Sequence, residues 1–525
     1  MRRRDILKSA AAVPVALAAP KLARAAGSSV LKFIPQADVA SLDPVWTTAD
    51  ITRNYSLAVY DTLYGIDAKF AVQPQMVAGH TTSADGKQWE LTLRDGLKFH
   101  DNTPVLARDC VASIKRWGAN DPLGSALMAR TDEVSAPSDK VIRFRLKEPF
   151  ALLPSALSQY SSCIMPERVT NVAAGKQVTE SIGSGPFRFN TKERVVGSLM
   201  VFDKFEGYVP RADGVPSFTA GPKIAYFDRV EWHVVPDPAT SAGALTSKEV
   251  DWWENPALDL VPSLEKNHDL VLRVTDISGE IGCLRFNCLL PPFDNPAIRR
   301  VVLKACNQSD FMDAVAGSVP KLVTTDVGVF VPGTPMASTV GIGVTHGSTD
   351  YAALKKELAA AGYKGEKIVL LAATTISTIY AEAQVAADLL KKIGFNVDMQ
   401  SLDWGTVVQR RASMSPLDKG GWSIFFTFLG GPGNVSPAPN IAIRGNGKGA
   451  WVGWPTDPKM EALRNAWFTA PDLAAQQKLC EQMQVNFWQT VPYVPLGMYK
   501  QPTAYQNYLK DIRDGYPQMY GVKRA

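Results

Sequence analysis

Beyond the first 25 residues the chain has no apolar run approaching the ~20 residues that a membrane-crossing helix needs, so nothing in its 525 residues reads as a spanning segment. Cysteine is sparse. The six, Cys110, Cys163, Cys283, Cys288, Cys306 and Cys480, form no CxxC pair and no other metal spacing, which removes the zinc-ribbon and dithiol-redox classes. Histidine is scarcer: His80, His100, His233, His268 and His346 stand far apart, with no pair at ligand spacing. GxSxG, HExxH, Walker A and GxGxxG patterns are all missing, so the common hydrolase, metalloprotease, NTPase and dinucleotide-enzyme signatures are absent. An excess of one charge is missing as well. The formal charge of +5 comes from residues 1–25, which hold six Lys or Arg and one Asp and leave 50 basic and 50 acidic residues in the remainder. The basic face that nucleic-acid binding requires is not there.

The start of the chain reads as an address rather than as structure. Arg3, Arg4, Asp5, Ile6, Leu7 and Lys8 form a twin-arginine export signature, and a weakly apolar stretch from Ser9 to Pro20 follows. Ala23, Arg24 and Ala25 offer the small residues that signal peptidase requires, which places cleavage after Ala25. No cysteine stands near that point to carry a lipid anchor. The expectation is a soluble periplasmic protein with residues 1–25 as a twin-arginine signal peptide. About 500 remaining residues exceed what one core organises, so two or three domains are expected. An oxidising compartment permits disulfides, but Cys110 and Cys480 fall on apolar faces of predicted helices and read as buried free thiols.

Periodicity divides the rest. Trp89, Leu91 and Leu93 alternate with polar residues, as do Ile142, Phe144 and Leu146, the period of half-buried strands. Between them Thr103 and Pro104 read as a helix start, with Leu106, Cys110, Ile114 and Trp117 at helical spacing. Residues 71–182 therefore form one strand-and-helix module. Strands around Val230, Trp232 and Val234 follow. Asn295 and Pro296 open a further helix, and an apolar strand from Lys367 to Ala373, a helix stopping at Gly394 and a strand from Phe395 to Leu402 make a parallel crossover. Residues 430–456 are rich in Gly, Pro and Asn and hold no acidic residue. The last segment, broken by Pro492, Pro495, Pro502 and Pro517, suggests a return strand and a surface run.

A series of phrases runs through this framework in order. They are Leu42-Asp43-Pro44, Tyr60-Asp61-Thr62-Leu63, Leu93 to Asp101 leading into Thr103-Pro104 and Ala107-Arg108-Asp109, then Gly183-Ser184-Gly185-Pro186-Phe187. Phe286-Asn287, Pro292-Phe293-Asp294-Asn295, Arg299-Arg300 and Asp403-Trp404 complete it. Each has a plain reading as a strand end, tight turn or helix start. Together they resemble the extracellular solute-binding protein family 5, the large binding proteins of peptide, nickel and related ABC importers.

The resemblance implies an α/β, two-lobed periplasmic-binding-protein-like fold with an extra domain inserted in the first lobe. Its base would comprise residues 26–70 and 183–280, the insert 71–182, the second lobe 281–492, and the return to the first lobe 493–525, with crossings near 275–284 and 490–500. It implies a monomer without cofactor or catalytic residue, which takes a small solute into the cleft and delivers it to an ABC permease and its ATPase subunits. The family's aromatic cleft walls correspond to Trp46 and Trp404. Peptide-binding relatives hold the ligand ammonium with an aspartate in a second-lobe loop, and the matching stretch here, Trp422 to Pro437, has no carboxylate. Thr427 and Asn434 are its polar candidates, and Arg444 is a candidate partner for a ligand carboxylate or phosphate. The ligand expected is an oligopeptide or a peptide-like or acidic small molecule. The competing readings are a secreted hydrolase whose site assembles only in space, and a binding module serving a sensor or chaperone.

Overall fold

The computed structural model describes residues 29–525 except 70, 173–175, 277 and 471; the expected signal peptide lies outside the described residues. Three large sheets carry most of the described chain, beside two small two-stranded ones. The first has seven strands in the spatial order Leu270–Val274, Pro502–Gln506, Trp252–Trp253, Val30–Ile34, Arg229–His233, Leu199–Lys204 and Phe187–Phe189. Alternation decides which side of it is core: Leu31 and Phe33 are fully buried, and the Phe33 ring packs 5.5 Å from Trp232 and 5.0 Å from Trp252.

The second sheet is the antiparallel set Val77–Thr82, Gln88–Leu93, Val141–Leu146 and Thr131–Ser138, covered by the helices Ala107–Asn120 and Pro122–Arg130. Trp89, Leu91, Leu93, Ile142, Phe144 and Leu146 are its buried side chains. The helix starts later than Thr103-Pro104 suggests. Asp101 Oδ1 accepts the Thr103 N–H and hydroxyl, holding those residues in a turn, and Asp109 Oδ2 accepts the Leu106 N–H at 2.9 Å to cap a helix beginning at Ala107.

The third sheet has six strands, in the order Val323–Thr324, Tyr493–Tyr499, Glu280–Phe286, Ile424–Gly430, Lys367–Ala373 and Asn396–Leu402. The last two pair in parallel through the helix Ser377–Lys392. Two connections join the first sheet to this one. Segment 275–279 leads from Leu270–Val274 into Glu280–Phe286, and 500–501 leads from Tyr493–Tyr499 into Pro502–Gln506. The second lobe therefore extends to Tyr499 rather than ending at residue 492. Pro495, which read as a break, sits in the strand interior because the register slips between Ile281 and Cys283 opposite it, and such a bulge accommodates a residue with no N–H to give.

Several of the recurring phrases meet at joints of the first lobe. His100 Nδ1 accepts the Gly183 N–H at 3.3 Å and Nε2 donates to the Gly185 carbonyl at 3.1 Å, fixing a neutral ring whose pKa burial pushes down to about 4. A Cβ at Gly183 or Gly185 would overlap the Val59 backbone, so this approach requires glycine. Asp43, fully buried, accepts both terminal nitrogens of Arg116 and the Val178 N–H. Asp61 takes Lys223 Nζ at 2.7 Å and the Tyr208 hydroxyl at 3.0 Å. All six cysteines are free thiols, and all but Cys288 are buried.

A buried acid of the second lobe lacks a hydrogen-bond partner among the described residues. Glu382, on Ser377–Lys392, is fully buried against Gly282, and neither of its carboxyl oxygens is bonded. Burial raises its pKa well above the ordinary 4.5, so the folded state holds a proton that the unfolded chain gives up. The stability linked to this group is complete below pH 4.5 and declines as pH rises toward its folded value, by about 1.4 kcal/mol per pH unit. Glu382→Gln should therefore gain in Tm over the wild type as melts move from pH 5 to pH 8; a difference constant with pH would show that Glu382 is not a protonated acid in the fold.

Candidate functional site

A cavity of about 680 Å³ opens between the lobes, at the level of the two connections. Its first-lobe wall comes from the loop carrying Trp46 and from the helix Asp50–Val59. Its second-lobe wall comes from the helix Trp404–Arg411 and the end of the strand Ile424–Gly430. The floor is the crossing itself, where Glu280 stands in register with Tyr499 on one side and Gly430 on the other.

Four of the five sequence candidates stand in this wall. Trp46 is half-buried and Trp404 buried, both on the cavity. Thr427 and Asn434 also line it, but each already serves the fold. The Thr427 hydroxyl donates to the Phe428 carbonyl at 3.4 Å, and Asn434 Nδ2 closes a turn on the Gly430 carbonyl at 2.8 Å. Arg444 lies elsewhere. Its Nε donates to Glu461 Oε1 at 3.0 Å and its Nη1 to the Pro122 carbonyl at 3.1 Å, and it is not part of the cavity wall. The segment 430–456 holds no acid of its own, but the next helix, Pro458–Phe468, turns Glu461 back onto it.

The cation that does face the cavity is Arg411. Two helical turns after Trp404, it presents on the same face, an i, i+7 relation that the sequence contained. It is only 4 % exposed, and its guanidinium carbon sits 5.2 Å from the Trp404 ring, 5.3 Å from Phe425 and 5.9 Å from Trp451. Burial pushes its pKa down to about 10, so it remains a cation at neutral pH. Among the described residues it has neither a hydrogen bond nor an ion pair, although an isolated buried charge costs several kcal/mol. Ring faces offset part of that cost, and an anion entering the cavity would offset the rest.

Carboxyl groups gather elsewhere on the same cavity wall. Asp50, Glu254, Asp276 and Glu280 converge there from three stretches of chain around one guanidinium, Arg53. Arg53 Nη1 donates to Asp50 at 2.6 Å and its plane lies 3.8 Å over the Tyr516 ring. Glu254 accepts the Gln36 N–H at 2.8 Å and Asn54 Nδ2 at 2.6 Å, and burial raises its pKa to about 7. No sequence spacing announces this group, because it assembles only when the crossing is made.

The lobes also touch above the cavity. Besides Arg444 on Pro122, Trp451 Nε1 donates to Thr48 Oγ1 at 3.3 Å, and Phe468 packs 5.8 Å from Phe150 with Arg130 at 5.3 Å.

Residues 71–449 match the family model described as bacterial extracellular solute-binding proteins, family 5. A probable peptide ABC transporter periplasmic-binding protein of Sinorhizobium fredii is 37 % identical over 530 aligned positions, covering 100 % of this chain and 99 % of that protein. The chain belongs to family 5. As a family 5 protein it binds solute for transport and is not an enzyme, which sets the hydrolase reading aside. Solved structures share the two-lobed fold. The periplasmic binding protein AgaA of A. tumefaciens R10, in complex with agropinic acid, aligns with a TM-score of 0.79 at 22 % identity, over 94 % of this chain and 99 % of that one. The DppA protein of Helicobacter pylori, in complex with the peptide STSA, aligns at 0.77 and 20 % identity, over 94 % and 98 %. No helix among the described residues is long and apolar enough to cross a membrane.

Because Arg444 joins the lobes without facing the cavity, Arg444→Ala should weaken every ligand alike, by about tenfold for the loss of one charge-assisted hydrogen bond. Calorimetry with an anionic and an uncharged ligand checks this; a loss confined to the anion would make Arg444 a ligand contact.

Proposed function

We propose that this substrate-binding component of an ABC importer captures a small solute by its carboxylate, with Arg411 as the receptor and Trp404 and Trp451 as flanking walls. The observation that carries the reading is the buried guanidinium on the cavity wall that has, among the described residues, neither a hydrogen bond nor an ion pair. A cavity of about 680 Å³ lies within the ~300–1,000 Å³ range of small-molecule sites. Trp46 and the polar groups of Thr427 and Asn434 complete the proposed contact set.

The relatives support an acid or peptide as cargo: the Sinorhizobium fredii protein is described as a probable peptide transporter component, and the two solved neighbours hold agropinic acid and the peptide STSA. An oligopeptide, a peptide derivative or an acidic small molecule fits this chemistry. Binding joins the lobes, and the closed form is what the permease and its ATPase subunits receive, because a ligand that touches both lobes favours the closed state by its differential affinity. The same reading makes residues 1–25 a twin-arginine signal peptide that delivers the protein to the periplasm, where it works as a monomer.

Arg411→Gln should weaken a carboxylate ligand at least thirtyfold, about 2 kcal/mol, and leave the affinity for its carboxamide nearly unchanged. Equal losses for acid and amide in calorimetry would remove Arg411 as the carboxylate receptor.

A further inference from the structure

We infer that the helix Pro122–Arg130 is the clasp of the cleft: the second lobe grips it at both ends, and that grip sets how long a bound solute is retained. The inference rests on the cleft being the solute site, and does not depend on which ligand group Arg411 receives.

Position is the first argument. Arg444 Nη1 donates to the carbonyl of Pro122, the first residue of the helix, at 3.1 Å. At the last residue, the Arg130 guanidinium carbon lies 5.3 Å from the Phe468 ring and 5.7 Å from Phe150, and the two rings are 5.8 Å apart. A helix of nine residues puts about 12 Å between its ends. Two contacts that far apart resist the turning of one lobe over the other, which a single contact does not. Both second-lobe partners belong to one unit, because Arg444 is tied to Glu461, and Glu461 and Phe468 share the helix Pro458–Phe468.

The gripped helix is itself held in place. Asp121 Oδ1 caps it by accepting the N–H groups of Leu123 at 2.8 Å and Gly124 at 3.1 Å. Asp121 Oδ2 accepts the Ser161 hydroxyl at 3.1 Å, and Ser161 Oγ accepts Nε1 of the fully buried Trp117 at 3.1 Å. Gly124 meets the helix Ala107–Asn120 so closely that a Cβ there would fall 2.9 Å from the Gly118 Cα. Asn120, Asp121, Pro122 and Ser161 also line the cavity. A solute and Arg444 therefore meet the same end of the helix, which links filling of the cavity to the grip.

Charge is arranged so that the clasp can part. Among the described residues no ion pair crosses it: Glu148 pairs with Arg130 at 2.8 Å within the first lobe, and Glu461 pairs with Arg444 at 3.0 Å and Arg464 at 3.6 Å within the second. Each cation keeps its counter-ion when the lobes separate and gains a carbonyl or a ring face when they meet. Opening thus strands no charge, unlike the loss of a partner at Asp43 or Asp61. Contacts made in the closed form and absent from the open one slow escape without slowing capture.

The probe is the tightest-held member of a pool of synthetic di- to tetrapeptides and small carboxylic acids, found by native mass spectrometry on the purified exported protein. Its capture and release are followed by stopped-flow tryptophan fluorescence. Arg130→Gln and Phe468→Ala should each speed release at least fivefold, about 1 kcal/mol, with capture within twofold of the wild type. The double variant should release no faster than the faster single one, because both remove the same contact. Arg130→Lys, which keeps the charge beside the ring, should recover most of the loss. The two positions lie on opposite lobes, so matching effects do not come from misfolding of one; if Phe468→Ala fails to fold, the two Arg130 variants decide. Unchanged release, independent losses that multiply in the double variant, or a loss confined to capture overturns the inference and leaves the Arg411 reading standing. If folded wild-type protein holds no pool member, the proposed cargo classes fail and the clasp is read by small-angle scattering instead. Arg130→Gln should then be more extended than the wild type, and equal dimensions overturn the inference.

Discussion

The pairing of Glu280–Phe286 with Tyr493–Tyr499 is the constraint from which the rest follows. Both chain passages between the lobes leave from these adjacent strands and enter another adjacent pair, Leu270–Val274 and Pro502–Gln506, which places a hinge between the two sheets. Glu280–Phe286 is itself flanked on both edges, by Tyr493–Tyr499 and Ile424–Gly430, which fixes the floor of the cavity within the second-lobe sheet. A side chain placed at the first residue of that strand therefore keeps its position relative to the second lobe, and acquires first-lobe neighbours only through the crossing.

Buried charge is handled in two ways in this molecule. Within the first lobe it is paired: Asp43 with Arg116, and Asp61 with Lys223 and Tyr208, each pair linking segments far apart in sequence. Removing one partner of such a pair leaves the other stranded at a cost of about 3–5 kcal/mol, which makes these links determinants of which surfaces meet. Around the cavity the pairing is left incomplete, at Arg411 and at Glu280. The contrast separates charges that tie the segments of a lobe together from charges left unpaired on the cavity wall.

Much of the architecture was legible because strand and helix periods are local. The alternation of Trp89, Leu91 and Leu93 and the crossover from Lys367 to Leu402 gave elements close to those observed, and the phrases from Leu42 to Trp404 gave their family order. The second-lobe boundary fell at 492 rather than 499 because the prolines of the last segment hide the strand Tyr493–Tyr499, where Pro495 is accommodated by the bulge between Ile281 and Cys283. Arg444 looked free because its partner, Glu461, belongs to the following helix. Arg411 was readable in principle from its spacing to Trp404. Glu280 was not, since its acid neighbours come from around residues 50, 254 and 276 and no window of sequence contains them together.

The contacts that bridge the cleft mouth, Arg444 on Pro122, Trp451 on Thr48 and Phe468 on Phe150, are few and small. Set against them are like and unlike charges that closure withdraws from water without giving them partners. These few contacts alone hold the lobes together above the cavity, and a ligand that touches both walls adds to them. Occupancy and shape become one signal. On the proposed reading, the ATPase on the far side of the membrane meets a carrier whose shape reports whether it is loaded.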